Sequence, residues 1–464
     1  MPATGEKARR KTPHRTPQRG KPRKPEPARL PPGLAVRETA VRLIAAVLID
    51  HRSLDEVLAK ELASSALEPR DRALARLIAG TVLRRSGELE AVLNSFLEKP
   101  LPTRKGNLWP ILLAGAAQLL FLDTPPHAAV GLAVEQTHRD RRARTFDRLV
   151  NALLRRVTRE GASVLEGRDG VKLNVPSWLY ERWERAYGAD EAHRVAEASL
   201  AEAALDVSVK SEPEVWAGRL GGMVLPTGSV RLRSGGRVEA LPGFEEGAWW
   251  VQDAAAALPA RLLGDVAGRS ALDMCAAPGG KTAELAAAGA EVTALDLSGA
   301  RLERLQQNLA RLKLEATLVE ADAAEWAPDR TFDAVLLDAP CTATGTIRRH
   351  PDILHLKRKG DIAVLVELQS RMLDNAARLV TPGGLLVYCT CSLEPEEGAD
   401  QIAHFLARNA AFKRVPIAVG EIGIAAEWLS EAGELRTLPF HLPHEERALA
   451  GMDGFFAARL RRRA

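Results

Sequence analysis

Two thiols and a carboxylate stand at the ends of apolar runs. Leu385-Leu386-Val387-Tyr388-Cys389-Thr390-Cys391-Ser392 and Ala334-Val335-Leu336-Leu337-Asp338-Ala339-Pro340-Cys341 each pass from β-forming side chains into a small polar tip. Such runs read as buried parallel strands that deliver their last residues to the carboxyl edge of a sheet, where α/β folds keep their chemistry. A thiolate placed there is a nucleophile, and an acid or second thiol beside it can handle protons. Cys341 and Cys391 both sit just past a tip, so spacing alone leaves open which would attack.

A third run supplies a ligand-binding turn. Cys275-Ala276-Ala277-Pro278-Gly279-Gly280-Lys281-Thr282 follows the strand-like Ser270 to Met274 and opens a helix, and its small residues let a ligand approach the backbone. We expect Cys275, Ala276, Ala277, Pro278, Gly279, Gly280 and Lys281 to contact a cofactor, with Cys275 offering its backbone. A P-loop would need Gly where Cys275 stands, and a dinucleotide fold would need Gly-x-Gly-x-x-Gly. Asp296, Asp322 and Asp338 end successive strands, Asp296 where a carboxylate accepts ribose hydroxyls. Together they suit a nucleoside with a positive centre, such as S-adenosyl-L-methionine, and would repel a triphosphate. The four cysteines lack the paired spacing of structural zinc, so no metal site is expected.

These tips need a scaffold, and the chain divides accordingly. From 244 to 464 strands alternate with helices: Glu291 to Leu295, Ala300 to Leu312, Phe332 to Asp338, Asp361 to Leu379, Leu385 to Cys389 and Glu396 to Arg408, with Gly454 to Leu460 as a last strand. That order predicts a doubly wound, mostly parallel Rossmann-like α/β sheet. Residues 33–160 are helical throughout, with apolar residues three and four apart as in Val36, Ala40, Leu43, Ile44 and Val47. Residues 171–243, with Gly-rich turns between short strands, read as a small α+β connector. Residues 1–32 hold ten basic residues, Lys7 to Arg29, against Glu6 and Glu26, which leaves the rest of the chain net acidic although the whole carries +4. That arm has prolines and no core, so it should be disordered, either solubilising or phosphate-binding. The longest apolar stretch, Trp109 to Leu122, is too short and too interrupted to span a bilayer.

Several of these runs together resemble a known family. Cys275 to Thr282, Asp338-Ala339-Pro340-Cys341 with Thr344-Gly345 and Arg348-Arg349-His350-Pro351-Asp352-Ile353, and Tyr388-Cys389-Thr390-Cys391-Ser392 are similar to the motifs of RNA (cytosine-5) methyltransferases. Asp71-Arg72-Ala73, Gly80 to Arg84, Gln118 to Leu122, Pro125 to Val130 and Val150 to Arg156 resemble the NusB-like helical domain. The resemblance implies an enzyme that methylates carbon 5 of cytosine in RNA, in particular 16S rRNA, with S-adenosyl-L-methionine as cofactor. It implies Cys391 as nucleophile, Cys341 as the thiol that assists product release, and Asp338 as the acid near ring N3. Arg348, Arg349 and His350 would hold RNA phosphates. The family's Arg and Asn near the first connector strand stand here as Leu205-Asp206-Val207-Ser208, and its Pro-Glu-Glu-Asn as Pro395-Glu396-Glu397-Gly398. We expect a cytoplasmic monomer with RNA as partner and neither membrane nor DNA. The competing readings are a P-loop-like nucleotide hydrolase and a noncatalytic NusB-like RNA-binding protein.

Overall fold

The computed structural model of the chain describes residues 1–3, 5, 31–64, 67–102, 106–233 and 236–464. The basic run from Lys7 to Arg29 lies outside them. Periodic apolar residues build a bundle from α1 (Leu34–Leu48), α2 (Leu54–Ser64), α3 (Pro69–Arg84), α4 (Ser86–Ser95), α5 (Leu108–Leu120), α6 (Pro126–Arg139) and α7 (Asp147–Leu165). Their apolar faces close on one core around Ile44, Ile78, Leu112 and Leu154. Helix α5, the most apolar stretch of the sequence, runs through its centre. No helix among the described residues is long and apolar enough to cross a membrane.

The connector begins with α8 (Gly170–Asn174), α9 (Ser177–Tyr187) and α10 (Ala189–Ser199). It continues through β1 (Leu205–Val209), α11 (Pro213–Leu220), β2 (Gly222–Val224), β3 (Val230–Leu232) and β4 (Trp249–Val251), whose strands form an antiparallel sheet in the order β2-β3-β1-β4. Asp206 on β1 is fully buried and takes both arms of Arg231 on β3 at 2.7 Å. It therefore offers nothing to RNA. Burial raises the Asp206 carboxyl against the pull of Arg231, so this charge stays stable only while its partner is present.

The second half alternates as expected: α12 (Leu258–Arg261), β5 (Ser270–Met274), α13 (Gly280–Ala287), β6 (Glu291–Asp296), α14 (Gly299–Leu312), β7 (Thr317–Glu320), β8 (Phe332–Asp338), α15 (Ile353–Leu356), α16 (Lys359–Leu379), β9 (Val380–Thr390), α17 (Ala399–Arg408), β10 (Phe412–Arg414), β11 (Leu435–Thr437) and β12 (Phe455–Arg462). The sheet runs β7-β6-β5-β8-β9-β12-β10, parallel from β7 to β9, with β12 antiparallel between β9 and β10 and β11 on its flank. Apolar side chains cover both faces, with Leu337, Tyr388 and Phe405 on one and Leu336, Val387 and Leu285 on the other. Strand order reverses at β5, which places a crevice between the tips of β5 and β8.

Three details differ from the sequence reading. Strand β9 begins at Val380 rather than at Leu385, so Gly383-Gly384 lies inside it. Strand β7 stops at Glu320, two residues short of Asp322. Arg348 and Arg349, expected to meet phosphate, are turned inward instead. Arg348 is 1 % exposed and donates to the Ala450 carbonyl, while Arg349 pairs with Asp253 at 2.5 Å and Asp453 at 3.1 Å. Asp253 and Asp453 outbid solvent for the Arg349 guanidinium because a buried acid needs a partner.

The ends of the sheet are fastened to the other parts of the chain. Leu54 N–H donates to Asp352 at 2.9 Å, Arg84 to the Arg348 carbonyl at 2.9 Å, and His350 pairs with Asp55 at 3.1 Å, so the helical bundle grips the segment after Cys341. Arg182 on α9 reaches Glu394 and Glu396, and Tyr187 reaches the Leu393 carbonyl, so the connector grips the segment after Cys391. Replacing Arg231 by Ala leaves the buried Asp206 carboxyl without its ionic partner, at a cost of about 3–5 kcal/mol in a denaturant melt. Replacing both residues by apolar ones of similar volume should restore most of that loss.

Candidate active site

Strands β8 and β9 pair with Asp338 opposite Cys389. Beyond that pair both chains leave the sheet together: Ala339 N–H donates to the Cys389 carbonyl at 2.9 Å and Gly345 N–H to the Cys391 carbonyl at 3.0 Å. The two thiols therefore converge, Cys341 Sγ lying 3.5 Å from Cys391 Sγ, both half-buried. A Cβ on Gly345 would come within 2.0 Å of the Gly454 carbonyl oxygen, which explains why Thr344 is followed by the one residue without a side chain. The contact with Cys391, then burial, pushes the Cys341 thiol well above its ordinary range and keeps it protonated.

A charged pair stands at the strand tips from which the thiol-bearing loops leave. Lys281 Nζ, at the start of α13, donates to Asp338 Oδ2 at 2.8 Å, and Cys389 Sγ lies 3.5 Å from Asp338 Oδ1. Burial alone would lower the Lys281 ammonium, but Asp338, Cys389 and Asp273 outweigh it and hold it above its ordinary value. Cys389 is fully buried and its thiol is raised by burial and by Asp338. A charged lysine and a carboxylate thus face the crevice, and the two converging thiols lie in the loops that follow the tips of β8 and β9.

The crevice itself is a cleft of about 430 Å³ lined by Ala276 to Lys281, Asp273, Asp338, Gln252 and Asp453, among others. Cys275 turns the chain with φ of +64° and Gly279 with +104°, and a Cβ on Gly279 would lie 2.8 Å from Leu305. The half-buried Cys275 thiol is raised by burial and by Asp338 and Asp296, which leaves it inert. Asp296 is tucked under the turn: its Oδ2 accepts Ala277 N–H at 3.1 Å, its Oδ1 Ser298 N–H at 3.1 Å, and Arg301 pairs with it at 3.3 Å. Asp322 accepts its own Ala324 N–H at 2.8 Å. Neither Asp296 nor Asp322 lines the cleft, so the carboxylates facing it from the strand tips are Asp273 and Asp338.

Asp273 was not singled out by the sequence reading, although an acid between Leu272 and Met274 in a buried strand is itself a signal. Its Oδ2 accepts the Thr282 hydroxyl at 2.6 Å, while its buried Oδ1 has no partner. A polar atom left bare at the edge of a cleft of ligand size fits a polar ligand there. The residues present suit S-adenosylmethionine: the turn for close approach, and Asp273 and Asp338 for a cation. Among the described residues no group of three or more His, Cys, Asp or Glu side chains is arranged to hold a metal ion.

The strand order, with one reversed strand beside five parallel ones, and a Gly-rich turn over the first of them define an S-adenosylmethionine-dependent methyltransferase. Residues 260–461 match the family described as 16S rRNA methyltransferase RsmB/F, and residues 34–159 match the NusB family. The ribosomal RNA small subunit methyltransferase B of Xanthomonas campestris pv. campestris is 39 % identical over 92 % of this chain and 97 % of its own length. That of Salmonella paratyphi A is 36 % identical over 81 % and 90 %. The crystal structure of PH0851 superposes with a TM-score of 0.71 at 24 % identity, covering 93 % of this chain and 99 % of that one, a likeness of fold. The chain belongs to the 16S rRNA methyltransferase RsmB/F family. The hydrolase and noncatalytic readings fall with that assignment.

Burial pushes the Asp273 carboxyl up to about 7 against the pull of Thr282. Because the folded value lies above the ordinary 3.8, its proton favours the fold, fully so below 3.8 and no longer above about 7. Asp273→Asn cannot lose that proton. Unfolding titrations should therefore show wild-type stability, relative to the variant, falling across this interval and levelling off beyond it.

Proposed function

We propose that this methyltransferase modifies carbon 5 of a cytosine in 16S rRNA through a covalent bond between Cys391 and the base. The observation that carries the reading is the meeting of two thiols, 3.5 Å apart, in the loops that follow the strand tips where Asp338 pairs with Lys281. Carbon 5 of cytosine is a poor nucleophile until a thiolate adds to carbon 6 and makes the ring enamine-like. One attacking thiol and one proton-handling thiol answer that need; most other methyl transfers to nitrogen or oxygen call for neither.

In this reading Cys391 forms the bond to carbon 6 while Asp338, protonated or holding the protonated base, serves ring N3. S-adenosylmethionine supplies the methyl group that carbon 5 accepts. A base then removes the hydrogen from carbon 5, the sulfur–carbon 6 bond breaks, and the thiolate leaves. Cys341, held protonated and 3.5 Å from Cys391, would serve that release, a role its contact with Cys391 supports. The target base has to be unpaired or turned out of its helix to offer its ring face.

Small-subunit rRNA as substrate is supported by what the relatives are named for. The helical domain carries exposed arginines, among them Arg141, Arg142, Arg144 and Arg148, that can follow phosphates. Others of its basic residues are engaged within the domain, Arg139 with Glu38 at 2.9 Å and Arg156 with Glu160 at 2.9 Å. A cytoplasmic monomer fits such a task.

Cys391→Ala is expected to lower methylation by about 10³-fold or more while RNA affinity changes little. Cys341→Ala should instead form the protein–RNA adduct and fail to resolve it, leaving a slow band on a denaturing gel. Bisulfite sequencing of 16S rRNA from cells with and without the gene reads out the product. Unchanged transfer by the Cys391 variant, or no cytosine that loses its protection, would remove the proposal.

A further inference from the structure

Beneath the two thiols lies a carboxylate for which the reaction has no direct use. Glu397, in the short turn Pro395–Glu397, is fully buried. Its Oε1 accepts the Thr342 N–H at 3.0 Å and Gln369 Nε2 at 2.9 Å; its Oε2 accepts the Ser392 hydroxyl at 2.6 Å and the Thr342 hydroxyl as well. Thr342 follows Cys341 in sequence, and Ser392 follows Cys391. The same Gln369, from α16, donates to the Pro340 carbonyl at 2.9 Å, just before Cys341. The Glu397 main-chain carbonyl accepts the hydroxyls of Tyr388 at 2.9 Å and Thr390 at 3.2 Å, just before Cys391. Both cysteines are thus held on either side by one residue and its glutamine partner.

We propose that Glu397 is a positioning residue: its carboxylate sets the separation of Cys341 and Cys391 by binding the residue that follows each. One carboxyl that gathers donors from both loops ties them to each other past Asp338 and Cys389, where the pairing of β8 and β9 ends. The neighbourhood is built to the same end. A Cβ on Gly398 would come within 2.7 Å of Arg436 Nη2, and Arg436 uses that space to reach the Ser392 carbonyl at 2.5 Å. Gly398, where the family has Asn, therefore admits a guanidinium that ties down the same loop. A misplacement of about 1 Å between reacting groups costs roughly 10²-fold in rate, so a brace at this point governs turnover without touching RNA.

This inference rests on the two-thiol reading for its effect on catalysis, but its geometry can be tested apart from it. Wild type, Glu397→Ala and Glu397→Gln are treated with diamide, and the Cys341–Cys391 disulfide is followed by peptide mass spectrometry, with S-adenosylmethionine binding used to count folded sites. The folded Glu397→Ala protein should form the disulfide at least about 10-fold more slowly, and in single turnover should resolve the RNA adduct more slowly by a similar factor, with KM for RNA within about threefold of wild type. Glu397→Gln keeps an oxygen for Thr342 N–H and Gln369 and should recover most of both rates. Wild-type disulfide and adduct rates in the folded Glu397→Ala protein would overturn the inference, since a merely structural role lowers the folded fraction alone. A slowed disulfide in a protein whose wild type forms no RNA adduct would leave the brace standing and remove the two-thiol reading. Should Glu397→Ala not fold, Ser392→Ala removes one arm of the brace and is read in the same two assays, with the same outcomes.

Discussion

Everything at this site depends on β8 and β9 being parallel neighbours in one register. With Asp338 opposite Cys389, the carboxylate and the second thiol-bearing loop emerge at the same level. Because side chains alternate along a strand, a slip of one residue would turn Asp338 away from Lys281 and exchange Cys389 for a neighbour. The register is fixed by what the two strands bury: Leu337 and Tyr388 pack on one face, Leu336 and Val387 on the other. Hydrophobic packing thus decides where the polar chemistry falls.

The rest of the chain holds that arrangement from outside. The helical bundle fastens the segment after Cys341, and α9 of the connector fastens the segment after Cys391. At the junction of connector and sheet, Asp206, Asp253 and Asp453 share the interior with Arg231 and Arg349. Such ions add little net stability, since desolvation offsets most of their attraction, yet each is costly to orphan. That asymmetry favours one relative placement of the domains and so protects the site from partial rearrangement.

Much of this was legible in the sequence because the site lies at strand ends. Apolar runs that stop at a small polar tip announce both a buried strand and its functional edge, which is how Cys341, Cys391, Asp338 and the turn from Cys275 to Lys281 could be picked out. What failed was the reading of charge. Arg348 and Arg349 look like a surface patch in one dimension, and only the fold reveals that Asp253 and Asp453 wait for Arg349 from distant segments. Asp296 ends β6 as read, whereas Asp322 stands two residues past β7, and local backbone donors reach both carboxylates. The role of Glu397 was hidden for the same reason in reverse: an acid in a charged run reads as solvated, and its partners Thr342 and Gln369 come from a distant loop and from α16. Departures from the family pattern at Gly398 and Asp206 make sense only with Arg436 and Arg231 in view.

The claim at the centre of this account is that the Cys391 sulfur bonds to a cytosine ring. It is tested most directly with 16S rRNA fragments in which 5-fluorocytosine replaces cytosine, since fluorine on carbon 5 blocks the proton removal that would release the adduct. After incubation with S-adenosylmethionine, digestion and mass spectrometry should find the nucleotide on the peptide that contains Cys391. The same mass on the Cys341 peptide, or no adduct on either, would contradict it.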